Sequence, residues 1–420
     1  MLNYCTFILN SIANFKPCRP NSQTMKHTLR NLFVIILLTT SSSIAQNRSI
    51  QFNQGSLAEI LDQASKQNKM VFVDCYTSWC GPCKWMAKNI FTNDTVADFY
   101  NQNFINAKID MEKGEGIEIA KIYGIRAYPT LIYLNSTGEQ MHRVCGAAES
   151  QEFIGIGKDA LKPEKQLASY TKKFNAEKVS PQFALEYFEM IKEACQSNTA
   201  EVDKYFAEVE PNDFTGATNW KIIFNYLSNY SSKAFQDFEK ARATFTNLYG
   251  ADSVDMKISS IYENGLYASI REKDKKGLET VKAKIRAADI KDAEKIILEA
   301  DVYQAEKEGE WPTYASLAME YVGTYVGEDA QELNKYAWTF YEHVEDPTML
   351  KHAESWAKTA IELDGNYANI DTYAAVLYKL GNKNLAEEMA LKAINVAQEH
   401  GEDASETEAL LVKIRAIPEQ

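Results

Sequence analysis

Histidine is scarce in this 420-residue chain. It has five, and none is spaced from another as metal ligands are, so a histidine-built metal centre has no raw material. Cysteine is present in an odd number, seven, which excludes a fully paired disulfide scaffold. Only one Cys-X-X-Cys occurs, Cys80 to Cys83. A zinc site would need a second pair of ligands at comparable spacing, so no metal is expected there. Positive charge is in deficit, with 45 Lys and Arg against 58 Asp and Glu and a net charge of −13. That balance argues against nucleic-acid partners, which require a basic face. The apolar run Leu32 to Leu38 is too short to cross a bilayer. The region beyond residue 162 carries no nucleotide-binding loop and no catalytic signature.

The charge is unevenly placed. Residues 1–46 hold four basic and no acidic side chains, 47–162 hold 12 and 13, and the remaining residues hold 29 and 45. The acidic C-terminal part reads as a solvated helical surface. Met25-Lys26-His27 through Arg30, the apolar run, and the small residues up to Ser43 and Ala45 have the three parts of a secretory signal peptide over 25–45, cut before Gln46. An uncleaved anchor is the rival reading. Export predicts a periplasmic or secreted protein with no stable membrane span in its mature form. Residues 1–24 then read as an upstream extension, with translation starting at Met25 and Cys5 and Cys18 left outside the mature protein.

What is present centres on Val71 to Lys84, VFVDCYTSWCGPCK. The β-branched apolar run reads as a buried strand, and Trp79-Cys80-Gly81-Pro82-Cys83 opens a helix with the first cysteine at its start. A sulfur at a helix N-terminus faces unpaired backbone N–H groups and the positive end of the macrodipole, which lowers its pKa. Cys80 is therefore the expected nucleophile, and Cys83, one turn on and more buried, the thiol that resolves the mixed disulfide.

This stretch resembles the active site of the thioredoxin family, and the resemblance covers about Ser49 to Leu161. Asp74, six residues before Cys80, matches the buried family carboxylate that handles the resolving thiol's proton, and Lys108 in AKID matches its lysine partner. YGIRAYPT, Tyr123 to Thr130, matches the segment with the family's cis-proline, here Pro129, and Gly146 matches the glycine lining the substrate groove. The resemblance implies a groove formed by Trp79, Gly81, Pro82, Tyr128, Pro129 and Gly146, a redox-active Cys80–Cys83 disulfide, and no cofactor. In helix-start pairs of this kind the thiol pKa is about 7, against about 8.5 for free cysteine. Within the family, the sequence is most similar to the soluble domain of membrane thiol:disulfide interchange proteins.

Along the chain, Ser56-Leu57-Ala58-Glu59 predicts a capping box opening a helix, followed by strand Met70 to Tyr76 and the cysteine helix to about Phe91. A short helix from Asn93, a strand Phe104 to Asp110, a helix closed by Gly124, a hairpin of Thr130 to Leu134 and Gln140 to Cys145, and a helix Glu149 to Leu161 complete a βαβα-ββα order. The fold class expected is an α/β thioredoxin fold, a central mixed sheet flanked by helices, followed by an all-α helical-repeat region. His142 reads as a surface strand residue. Cys75 and Cys145 read as small packing residues in strands, with a bond between them left open. His343 and His352 read as helix-surface residues.

Lys162-Pro163-Glu164 sets a boundary after a 46–162 domain. Beyond it the period is helical, with stripes at Phe183, Leu185, Tyr187, Phe188 and Ile191, at Trp220, Ile223, Phe224 and Leu227, and at Phe235, Phe238, Ala241, Phe245 and Leu248. Ala353, Ala357 and Ala360 recur 33 residues later as Ala386, Ala390 and Ala393. That pattern resembles tetratricopeptide repeats over 341–420, with degenerate hairpins over 163–340.

The function expected is an exported thiol-disulfide oxidoreductase that reduces disulfides in protein substrates, with the helices recruiting a client or partner. Its electron donor would be a membrane thiol:disulfide interchange protein. A Gly-Pro pair between the cysteines, with no histidine, favours a reducing couple near −270 mV rather than an oxidising one near −120 mV, roughly. The alternatives are a helical binding or assembly protein with the thioredoxin domain as tether, and a disulfide isomerase or oxidase.

Overall fold

The computed structural model describes residues 48–418. The expected leader, the upstream extension, Cys5 and Cys18 lie outside the described residues. The chain divides into two compact units, the first ending at Gln166 and the second beginning at Leu167.

The first unit is built on a five-stranded sheet in the order β1-β3-β2-β4-β5. Its strands are β1 (Phe52–Asn53), β2 (Met70–Tyr76), β3 (Phe104–Asp110), β4 (Thr130–Leu134) and β5 (Gln140–Cys145). β2 runs parallel to β3 on one side and antiparallel to β4 on the other, which makes the sheet mixed. Five helices cover it: α1 (Leu57–Gln67), α2 (Gly81–Asn89), α3 (Asp94–Asn103), α4 (Gly116–Ile122) and α5 (Ser150–Ala160).

The two-residue period of β2 sorts its side chains onto two cores. Phe72 joins Met86 of α2, Val96 and Tyr100 of α3, and Phe153 of α5. Val71, Val73 and Cys75 join Ile60 and Ala64 of α1 and Ile119 of α4. Asp74 shares the Phe72 face, the face that α2 covers. The parallel register sets Asp74 opposite Lys108, so the pairing of β2 with β3 brings those two together.

Local rules account for the ends of these elements. The Ser56 side chain accepts from the Glu59 N–H while Glu59 reaches back to the Ser56 N–H, the expected capping box. Asn93 caps α3 by accepting from the N–H groups of Thr95 and Val96. Asn135 organises the β4–β5 turn by accepting from Thr137 and Glu139, and Gly138 takes the φ of 84° that the turn requires.

The structure adds one strand to this unit and corrects the reading of His142. β1 was not foreseen, because a two-residue strand carries no periodic signal; it pairs parallel with β3 at Asn106 and Ala107. His142 is buried at 7% exposure rather than a surface residue, its ring 6.0 Å from that of Tyr133. The reason is that α5 packs over β5.

In the second unit the described residues form fifteen α-helices, from Leu167–Ala176 to Ser405–Arg415, and a π-helical turn at Val322–Val326. The foreseen third stripe is two helices, Lys233–Lys240 and Arg242–Tyr249, broken at Ala241. Phe235, Phe238 and Phe245 are buried as their spacing predicts, but Leu248 is 56% exposed. Phe224 in the second stripe also reaches solvent. Ala353, Ala357, Ala360, Ala386, Ala390 and Ala393 are all fully buried, on the helices Pro347–Leu363 and Lys383–His400. Both helices pack against Tyr367–Lys379. His343 and His352 are exposed, and His343 stacks on Trp311 with ring centroids 3.6 Å apart. No helix among the described residues is long and apolar enough to cross a membrane.

Candidate active site

β2 ends at Tyr76, the chain turns through Thr77 to Trp79, and Cys80 becomes the N-cap of α2, with Gly81 and Pro82 in its first turn. Proline is tolerated there because its missing N–H would have no intrahelical partner. The N–H of Cys83 donates to the Cys80 sulfur at 3.1 Å, and the two cysteines are joined as a disulfide. Both are buried, Cys80 at 3% exposure and Cys83 at 2%, so the expected contrast in exposure between them is slight. A thiolate at Cys80 would receive that N–H and the helix dipole, a setting that stabilises negative charge on sulfur.

On β2, six residues before Cys80, a buried ion pair links Asp74 to Lys108 of β3. Asp74 is 1% exposed, and its Oδ2 accepts from Lys108 Nζ at 2.8 Å. Its Oδ1 is buried without a hydrogen-bond partner. Burial raises the Asp74 pKa above the usual carboxylate value, and the Lys108 charge and hydrogen bond offset only part of that rise. Lys108 is flanked by aromatic faces, with Nζ 4.5 Å from the centre of Tyr76, 5.1 Å from Phe91 and 5.9 Å from Phe52. Tyr76, Phe91 and Phe52 were not read as part of the site, since apolar residues in strands and loops give no sign of which charge they flank.

The other wall comes from the loop before β4. The Tyr128–Pro129 peptide bond is cis. Gly146 holds φ at 102°, a region that side chains disfavour, while its N–H donates to the Pro129 carbonyl at 2.8 Å. Open space lies where a Gly146 side chain would begin. The Tyr128 ring meets Trp79 edge to face at 5.9 Å, and Trp79 is 63% exposed. Two residues the motif does not reveal secure this wall. Arg143, 1% exposed on β5, donates to the carbonyls of Tyr123 and Gly124 at 2.7 and 3.2 Å. Glu112 accepts the Trp79 indole N–H at 2.9 and 3.0 Å.

The other cysteines divide. Cys75 is a free, fully buried thiol, which excludes a bond to Cys145, and burial beside Asp74 pushes its pKa far above the ordinary thiol value. Cys145 and Cys195 are not free thiols, so the reading of Cys145 as a simple packing residue is corrected.

Taken together, a sulfur pair at a helix start, a buried carboxyl of raised pKa and a lined groove can exchange thiols for disulfides and relay one proton. Comparison with known proteins points the same way. Residues 57–161 match the sequence profile of the thioredoxin-like domain. A thioredoxin-like protein of Synechocystis is 33% identical over 97 residues, covering 23% of this chain and 87% of that protein. Thioredoxin of Porphyra purpurea is 33% identical, covering 22% of this chain and 85% of its own length. The thiol:disulfide interchange protein DsbD of Tatumella citrea is 26% identical over 121 residues, 28% of this chain but only 21% of that protein. Among solved structures, a candidate disulphide-isomerase from Bacteroides thetaiotaomicron is 46% identical, covering 28% of this chain and 98% of that one, with a TM-score of 0.27.

Proposed function

Because the chain belongs, through residues 57–161, to the thioredoxin-like family of thiol-disulfide oxidoreductases, we propose that it is an exported protein-disulfide reductase whose helical unit recruits clients. The observation that carries this reading is the seat of Cys80: it caps α2, its sulfur accepts the Cys83 N–H, and the Cys83 sulfur is within bonding reach.

In the reduced protein the Cys80 thiolate attacks one sulfur of a client disulfide. A Cys80–client bond forms, the client S–S bond breaks, and the other client sulfur leaves as a thiolate. The Cys83 thiolate then attacks the Cys80 sulfur, which closes the Cys80–Cys83 disulfide and frees the client as a dithiol. Two electrons have passed to the client. Asp74, with its raised pKa, takes the Cys83 proton and becomes the neutral acid beside the Lys108 charge; that proton and one from solvent turn the two client thiolates into thiols. The client chain lies along the groove formed by Trp79, Gly81, Pro82, Tyr128, Pro129 and Gly146.

Turnover needs a dithiol donor, and the likeness to DsbD supports a membrane thiol:disulfide interchange protein in that role. The signal-like residues 25–45 support export. The alanine-lined helices of the second unit support tetratricopeptide-like repeats as the client-holding part. The direct test is capture in the exporting cell with Cys83→Ser. Mixed disulfides on Cys80 that a reductant releases are the expected result. A Cys80 that alkylates freely yet captures no protein would overturn the reading.

A further inference from the structure

Glu112 stands apart from the other charges around the groove. It follows β3 in a turn where Asp110 Oδ1 accepts the Glu112 N–H at 3.1 Å, and Asp110 is itself neutralised by Lys113 at 2.8 Å. Among the described residues Glu112 has no ion pair of its own; its charge reaches Lys113, but that ammonium is bonded to Asp110, so the turn holds two carboxylates against one ammonium. Its partner is the neutral indole N–H of Trp79, shared between both carboxylate oxygens at 3.0 and 2.9 Å. That bond matters because Trp79 is 63% exposed and has little packing to fix its ring. Held by Glu112, the indole stands edge to face with Tyr128, on the groove wall before β4, at 5.9 Å. The charge reaches that wall too. Burial first, and Glu112 next, raise the Tyr128 phenol above its ordinary pKa.

We propose that Glu112 is a positioning and specificity residue: it holds Trp79 at the groove mouth, and the net negative charge it leaves on the Asp110–Lys113 turn selects client disulfides flanked by Lys or Arg over those flanked by Asp or Glu. This rests on the reductase reading above and adds the substrate class to it. The effect precedes the chemistry, since a basic flank is attracted before Cys80 attacks. Unit charges at about 6 Å in water change an association constant roughly three-fold, and the effect fades as salt shortens the screening length to about 3 Å at 1 M.

The test uses the pre-reduced full chain in single turnover, so that no outside donor is needed. Its substrates are three synthetic disulfide peptides that differ only in the residue beside the attacked cysteine: Arg, Gln or Glu. The expected order of second-order rate constants is Arg over Gln over Glu, roughly three-fold per step at low ionic strength and flattened in high salt. Glu112→Gln flattens the series, yet its amide oxygen still accepts the indole N–H. The half-saturating concentration of the Gln peptide is therefore lower for Glu112→Gln than for Glu112→Ala, which loses the tether as well. Equal rates for all three peptides with the natural chain, or a graded series that survives in Glu112→Gln, would overturn the specificity role. Equal half-saturation in the Gln and Ala variants would overturn the positioning role. Failure of the natural chain to reduce any peptide is a different result and removes the reductase reading along with this one.

Discussion

Asp74 and His142 are both buried, and burial moves their pKa values in opposite directions, so each predicts its own pH response. For Asp74 the folded pKa is raised above 3.8. As pH climbs from 3.8 through the raised value, the unfolded chain gives up its proton first, and folding stability falls. Asp74→Asn, which cannot ionise, should therefore remove this part of the fall in stability, read from urea midpoints of the two chains between pH 4 and pH 7. The same variant should slow release of a Cys80 mixed disulfide about tenfold or more, because no group remains to take the Cys83 proton. For His142 the folded pKa is lowered to about 4 by burial, with Asp159 offsetting part of the shift. Its contribution is complete above the unfolded value near 6.5 and is lost as pH falls toward 4. Denaturation at pH 7.5 and pH 5 should differ by roughly 2 kcal/mol from this group, and His142→Gln should remove that part of the slope. At this scale the sequence was legible where chemistry comes with spacing: Cys80 and Cys83 pair at the start of α2, and Asp74 pairs with Lys108 across β2 and β3. Glu112, Arg143 and the rings around Lys108 act through contacts between distant segments, which no local pattern encodes.

Among the elements, α5 shows how closely the helices fit the sheet. A Cβ on Gly157 would sit 2.6 Å from a ring carbon of Phe99 and 2.9 Å from the Tyr100 hydroxyl. Tyr100 cannot yield easily, because its hydroxyl is bonded to the Phe153 carbonyl and the Tyr133 hydroxyl at 2.7 Å each. Gly157→Ala should destabilise the first unit by about 1–3 kcal/mol through overpacking, despite the roughly 1 kcal/mol that alanine gains over glycine in helix propensity. A lowered urea midpoint checks it, and an unchanged or raised one contradicts the packing argument. Strands with clear alternation and helices with caps were readable, β3, β4 and β5 to the residue. β1 was not, because two residues define no period and its strand character comes from pairing with β3. The break at Ala241 was likewise hidden, since the apolar spacing of Phe235 to Phe245 continues across it while the backbone does not.

At the scale of the whole chain, the net negative charge sits beyond residue 162, where 45 acidic side chains face 29 basic ones, and the Cys80–Cys83 pair lies before it. This division of labour can be tested without touching the cysteines. Ala390 is fully buried on Lys383–His400, and Ala390→Leu should disturb that packing by about 1–3 kcal/mol. If the helices recruit clients, the set of proteins captured by Cys83→Ser should shrink when Ala390→Leu is added, while reduction of a small disulfide peptide persists. An unchanged set would contradict recruitment. The measurement closest to the central claim is the reduction potential of the Cys80–Cys83 couple in the full chain, equilibrated against glutathione. The account predicts a value near −270 mV, roughly, that of a reducing dithiol, whereas a potential above about −150 mV would make the pair an oxidant and contradict it.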